Sequence, residues 1–148
     1  MQHAVYSIIG IVGGAIATAF GGFDVGLQVL VTFMALDYAT GLVVAGVFHK
    51  SGKSETGRLE SRAGFKGLCR KGMELILVLV GACLDRYTGN SFVRDAVVMA
   101  FIANEALSLL ENAVLMGLPV PKVLTRVLEV MQKKADREDE EVKGHDVS

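Results

Sequence analysis

Across its first 48 residues the chain carries no lysine or arginine and only two acids, Asp24 and Asp37. That stretch holds two apolar runs. Ala4–Phe23 supplies 20 residues interrupted only by Ser7 and Thr18, and Val25–Phe48 supplies 24 with Gln28, Thr32, Asp37 and Thr40 as polar members. About 20 mostly apolar residues in a helix cross the hydrocarbon of a bilayer. A water-soluble domain of 148 residues would have to bury both runs at once. A hydrophobic fraction of 51%, 17 glycines and a mean hydropathy of +0.44 argue against such a domain. The expected fold is an all-α integral membrane protein. Fifteen Lys+Arg against sixteen Asp+Glu leave a formal charge of -1, so no basic excess points to a nucleic-acid partner.

The Gly21-Gly22-Phe23-Asp24 break predicts a hairpin of the first two helices. A third stretch has an uninterrupted apolar core of only Leu75–Leu84, and it spans if Lys71 and Arg86 snorkel to the two interfaces. A fourth, Ala96–Leu118, is long enough but contains Asn104, Glu105, Ser108, Glu111 and Asn112. About four transmembrane helices are expected within residues 1–121. Pro119 and Pro121 stop the last of them. Residues 122–135 follow as a short cytoplasmic amphipathic helix, with Val123, Leu124, Val127, Leu128 and Met131 on one face. It either packs on its neighbours or lies among lipid headgroups. Residues 136–148 form a charged, disordered tail.

Orientation follows from the basic residues of short loops. Seven lie between His49 and Lys71, two in the Asp85–Asp95 connection and six from Lys122 to Lys143. Four spans with both termini in the cytoplasm satisfy that asymmetry. Ala17-Thr18-Ala19 has the form of a signal-peptide cleavage site, but Met1–Ser7 lacks the basic residues of a signal sequence.

Signals of chemistry are weak. Gly52-Lys53-Ser54 lacks the glycine that a phosphate loop requires five positions earlier, where Val47 stands. Cys69 and Cys83 have no metal-ligand spacing, and His3, His49 and His145 are scattered. No catalytic residues, metal or cofactor are expected, and the chain does not read as an enzyme.

The polar residues of the fourth segment are its informative feature. At 100° per residue, Asn104, Glu105, Ser108, Glu111 and Asn112 fall within an arc of about 120°. An acid at the bilayer centre costs roughly 2.5–3.5 kcal/mol on insertion scales, so each needs a partner or water. Two readings stand: a network satisfied within one subunit, or a stripe that copies turn toward a shared, wet space. Asp37 poses the same problem on the second helix. In the first helix, Gly10 and Gly14 form one small-residue ridge and Gly13, Ala17 and Gly21 a second, which suit close packing within a subunit or between subunits.

Three stretches resemble the toxin-secretion/phage-lysis holin family. Met34-Ala-Leu-Asp37-Tyr-Ala-Thr-Gly41 is similar to its Asp-x-x-x-Gly helix segment, and Ala63-Gly-Phe-Lys-Gly67-Leu-Cys-Arg-Lys71 to its glycine-and-basic loop. Ile102-Ala-Asn-Glu105-Ala-Leu-Ser108-Leu-Leu-Glu111-Asn112, then Met116-Gly-Leu-Pro-Val-Pro121, resembles its Asn-Glu-x-x-Ser-x-x-Glu-Asn helix and Gly-x-Pro-x-Pro exit. The resemblance covers roughly residues 20–131. It implies a phage or prophage protein of the bacterial cytoplasmic membrane that forms homo-oligomers and opens lesions. These would release an endolysin, as cargo without specific binding, or a toxin. It also implies helix-packing or pore-lining roles for Asp37, Gly41, Asn104, Glu105, Ser108, Glu111 and Asn112. A small ion channel or transporter subunit, and a non-permeabilising antiholin or scaffold, are the alternative readings.

Overall fold

The computed structural model describes residues 2–53, 55–130, 133 and 137, and the described elements are all helical. Helix α1 runs over Gln2–Ala19, α2 over Val25–Val43, α3 over Ser61–Thr88 and α4 over Val93–Leu115. Helix α2 continues through a π-helical turn, Val44–Phe48, to a left-handed His49. Residues 122–130 are helical as well. The rest of the expected 122–135 helix, apart from residue 133, and the tail, apart from residue 137, lie outside the described residues.

Helix ends follow local chemistry. Asp24 caps α2 by accepting the Leu27 amide at 2.9 Å, and Gly89 ends α3 in the left-handed conformation a glycine takes without strain. Gly21 and Gly22 turn the chain between α1 and α2 at φ of +81° and +109°. At Gly21 a Cβ would also stand 3.2 Å from the Arg94 side chain, which would have to shift to admit it.

Helix α4 is the central element and packs on both α2 and α3. Leu27, Leu30 and Met34 of α2 meet Val78 of α3 and Val98 of α4 in the apolar core, with Phe20, Leu75, Val97, Phe101 and Ile102 around them. Gly81 allows α3 to approach α4 closely; a Cβ there would lie 3.0 Å from the Arg94 Cα. Turns 20–24 and 89–92 sit at one end of this bundle, joined by Arg86 and Arg94, and the 49–60 loop lies at the other.

Three helices are long and apolar enough to cross a membrane: α1, α2 with its π turn, and α4. Helix α3 falls short by composition, although its 28 residues measure about 42 Å at 1.5 Å per residue, beyond the ~30 Å hydrocarbon thickness. The expected hairpin is a turn without packing, because α1 touches α3 and makes no helix contact with α2. An apolar cleft of about 560 Å³ separates its Gly13, Gly14 and Ala17 side from Leu27, Val31 and Leu75. No residue of α1 is buried, and Gly10, Gly13 and Gly14 meet nothing within 4 Å, so of the two ridges only the Ala17 and Gly21 end of the second is partly covered within one chain. Large apolar side chains such as Ile8, Ile11, Val31, Ile76 and Val114 face outward, as a lipid environment requires.

A buried ionic cluster as candidate functional site

Between the apolar core and the 49–60 loop, α2, α3 and α4 enclose a set of charged and amide side chains. Asp37, 4% exposed, sits at its centre. It accepts the Lys71 ammonium at 2.9 Å and the Asn112 amide at 3.0 Å, and Lys53 of the loop stands 3.7 Å away. Lys71 also pairs with Glu105. Asn112 donates further to the Thr40 hydroxyl at 2.9 Å, and Lys53 reaches Ser108 at 3.3 Å. One ammonium on α3 thereby holds a carboxylate from α2 and another from α4. Gly41 lies beside Asn112.

Glu74 completes the set. It is 5% exposed and faces Glu105 and Lys71, and its Oε2 has no hydrogen-bond partner among the described residues. Three carboxyls therefore share two ammonium groups, one of them the half-exposed Lys53.

This arrangement separates the five polar residues predicted on α4. Glu105 and Asn112 are buried, Ser108 is half-buried, and Asn104 and Glu111 are exposed. The reason is angular: the buried side of α4 runs from Arg94, Glu105 and Asn112 through Val98 to Ala106 and Ala103, and Asn104 and Glu111 fall beyond its edge. The intramolecular reading describes Asp37, Glu105 and Asn112, while Asn104 and Glu111 still face out from the bundle. Lys71 is a correction, since its side chain is 12% exposed and turns into the bundle instead of snorkelling. Its sequence signal was a basic residue one helical register from the apolar core, which fits either orientation.

A second cluster, outside the expected set, closes the opposite end. Arg94, 8% exposed at its side chain, donates to both Asp24 oxygens at 2.6 and 3.1 Å and to the Gly22 carbonyl at 3.1 Å. Asp85, from the end of α3, accepts the Val93 and Arg94 amides at 3.0 and 2.9 Å and so caps α4 from another helix. Arg86 donates to the Thr18 and Ala19 carbonyls that end α1. The Arg94 hydrogen bond holds the Asp24 carboxyl below its ordinary value.

Among the described residues no three His, Cys, Asp or Glu side chains are placed to hold a metal ion, and Cys69 and Cys83 are free and exposed. The charges and amides of both clusters pair one helix with another. Their chemistry is cohesion.

Comparison with known proteins places these residues in context. The sequence profile of the bacteriophage holin family matches residues 14–133. An uncharacterised protein of Listeria innocua is 39% identical over 135 residues, covering 89% of this chain and 91% of the relative. An uncharacterised 14.9 kDa protein of Clostridium perfringens is 35% identical over 117 residues, covering 78% and 83%. A protein of Bacillus phage phi105 named "Probable holin" is 30% identical over 115 residues, covering 77% and 79%. No solved structure matches the chain.

Proposed function

The chain belongs to the bacteriophage holin family, and from that premise we propose that it accumulates in the cytoplasmic membrane of a bacterial host, self-associates and opens lesions that release an endolysin. In relatives with another cargo the released protein would be a toxin. The match over residues 14–133 carries this reading, together with the relative named "Probable holin". The family points to a non-enzymatic membrane protein.

Topology in this proposal has four crossings, with α3 completing the set and both termini in the cytoplasm. The seven basic residues from Lys50 to Lys71 then share the cytoplasmic side with those that follow Pro121. The transmembrane unit is residues 1–121, followed by an amphipathic segment and a charged tail.

Association has a physical cause in Asn104 and Glu111, which face outward from α4. Polar groups on a lipid-facing helix lose free energy to poor solvation, and contact between copies relieves it. Relief grows with surface density, and where enough copies gather, water at the polar face replaces lipid. Opening is then set by density and needs no ligand. Glu105 and Asn112 hold the subunit together while this happens and do not line the lesion in the closed bundle.

Induced expression in a bacterium, with membrane potential and entry of an impermeant dye followed together, tests the proposal. Depolarisation and dye entry at one sharp time are expected. Membrane accumulation with the cells still polarised and dye-tight would instead identify an antiholin or scaffold. A selective, reversible conductance in reconstituted bilayers would identify a channel.

A further inference from the structure

Resting on the self-association just proposed, we infer that copies join head to tail, the outward face of α4 in one copy seating on the outward face of α3 in the next. On α4, Asn104 and Glu111 are seven residues apart and share one side, with Leu107 and Val114 beside them. Glu111 has no ion-pair partner among the described residues. On α3, Lys66 and Arg70 are one turn apart and exposed, again with no ion-pair partner among the described residues, and exposed Met73 and Leu77 continue their side.

Depth matches the two faces. Gly81 against Arg94 and Lys71 against Glu105 fix the antiparallel register of α3 and α4. Counting from those contacts brings Lys66 and Arg70 to the same end of the bundle as Glu111, Lys66 within a turn of its level. Neither α1 nor α2 offers such a partner, since neither carries Lys or Arg and the one acid of α2, Asp37, is buried; the exposed Lys122 and Arg126 lie beyond Pro119 and Pro121, past the end of α4. A symmetric α4-on-α4 contact would set Glu111 against Glu111, like charges in a poorly screened place. The acidic face of one copy and the basic face of the next instead complement each other. Because the two faces differ, the contact is heterologous and repeats from copy to copy into a ring or array. A closed ring of such contacts encloses a space, where a symmetric pair stops at two.

The exposed native Cys69, beside Arg70, makes the contact measurable. In full-length protein carrying Cys83→Ser and Leu107→Cys, oxidation in host membranes is expected to give a ladder of dimers, trimers and larger species. Adding Cys69→Ser should abolish that ladder. A dimer band that stops at two and survives Cys69→Ser overturns the head-to-tail contact in favour of α4 on α4. Absence of any band beyond the parent, or a shifted monomer alone, overturns it too. In the same background Glu111→Lys should cut the ladder several-fold, and Lys66→Glu with Arg70→Glu in the same chain should restore it; failure of restoration counts against the pairing. Dye entry scored in parallel in matched cells expressing the chain with Leu107 retained separates the two ideas. Permeabilisation without a ladder leaves the lysis reading standing and removes this interface, whereas a ladder without permeabilisation does the reverse.

Discussion

Lys71 joins α3 to carboxylates of both α2 and α4, and its removal strands two buried carboxylates. Breaking one partner of a buried pair costs about 3–5 kcal/mol, because the remaining charge stays in a medium that solvates it poorly. Lys71→Met should therefore destabilise the purified protein in detergent by that order, read from denaturant unfolding, and Lys71→Arg should recover most of the loss. Glu74→Gln is expected to behave oppositely. It replaces an oxygen that has no donor with an amide able to donate toward Glu105, so stability holds or rises. Equal losses in Lys71→Met and Glu74→Gln would refute this assignment. At the other end the sign of a pH effect is fixed by Asp24, whose carboxyl lies below its ordinary value of 3.8 through Arg94. Its folded form binds a proton less readily than its unfolded form, so the contact contributes fully above that ordinary value and is lost as pH falls through the lower, folded one. The gap in melting temperature between wild type and Asp24→Asn should stay constant from neutral pH down to mildly acidic conditions, then close in stronger acid.

The helices differ in how much each depends on the others. Helix α3 needs a glycine at position 81, where an added Cβ would meet Arg94 backbone that cannot swing aside. Gly81→Ala should cost about 1–3 kcal/mol through displacement of α3 from α4. Gly13→Ala, with open space around it, should change the unfolding of a single subunit by no more than about 0.5 kcal/mol. A matched loss at both positions would mean that α1 packs within the subunit after all. The same contrast explains a limit of sequence reading. The Gly10–Gly14 and Gly13–Ala17–Gly21 ridges are conspicuous in a linear text, yet within one chain only Gly21 meets a close neighbour. Gly81, in a less conspicuous setting, bears a close approach of two helices. Spacing reveals that a helix has a narrow side; it does not reveal which helix will lie there.

At the scale of the whole molecule the polar residues divide between two tasks. Those turned inward fix the register of α2, α3 and α4, and those turned outward are, in the proposed function, better solvated beside another subunit than alone. Association driven by solvation is cooperative in surface density. Reducing expression by a graded inducer should therefore delay permeabilisation out of proportion to the reduction, with single-cell dye entry remaining abrupt. A delay strictly proportional to dose, with gradual entry in each cell, would indicate independent subunits. Glu111→Leu should lengthen the delay while leaving melting unchanged, since Glu111 is exposed and has no ion-pair partner among the described residues. Glu105→Leu should instead lower melting first, because it leaves Lys71 with half its counter-charge.

The helical membrane character, the long apolar segments and the position of the basic loops were decided by composition along the chain, since hydrocarbon admits few backbones and few charges. The same linear record marked Asp37, Glu105 and Asn112 as groups in need of partners. Who those partners are was decided by tertiary structure alone. Lys71 could equally reach outward to the interface or inward to two carboxylates until α2 and α4 were set beside it. Asn104 and Glu111 belong to the same polar arc as Glu105, and only the position of the packed side's edge separates them. Arg94 and Asp85 likewise gain their roles from residues that are distant in the chain and adjacent in space. Periodicity specifies which residues share a side of a helix, and the neighbour that covers that side comes from the packing of the whole chain.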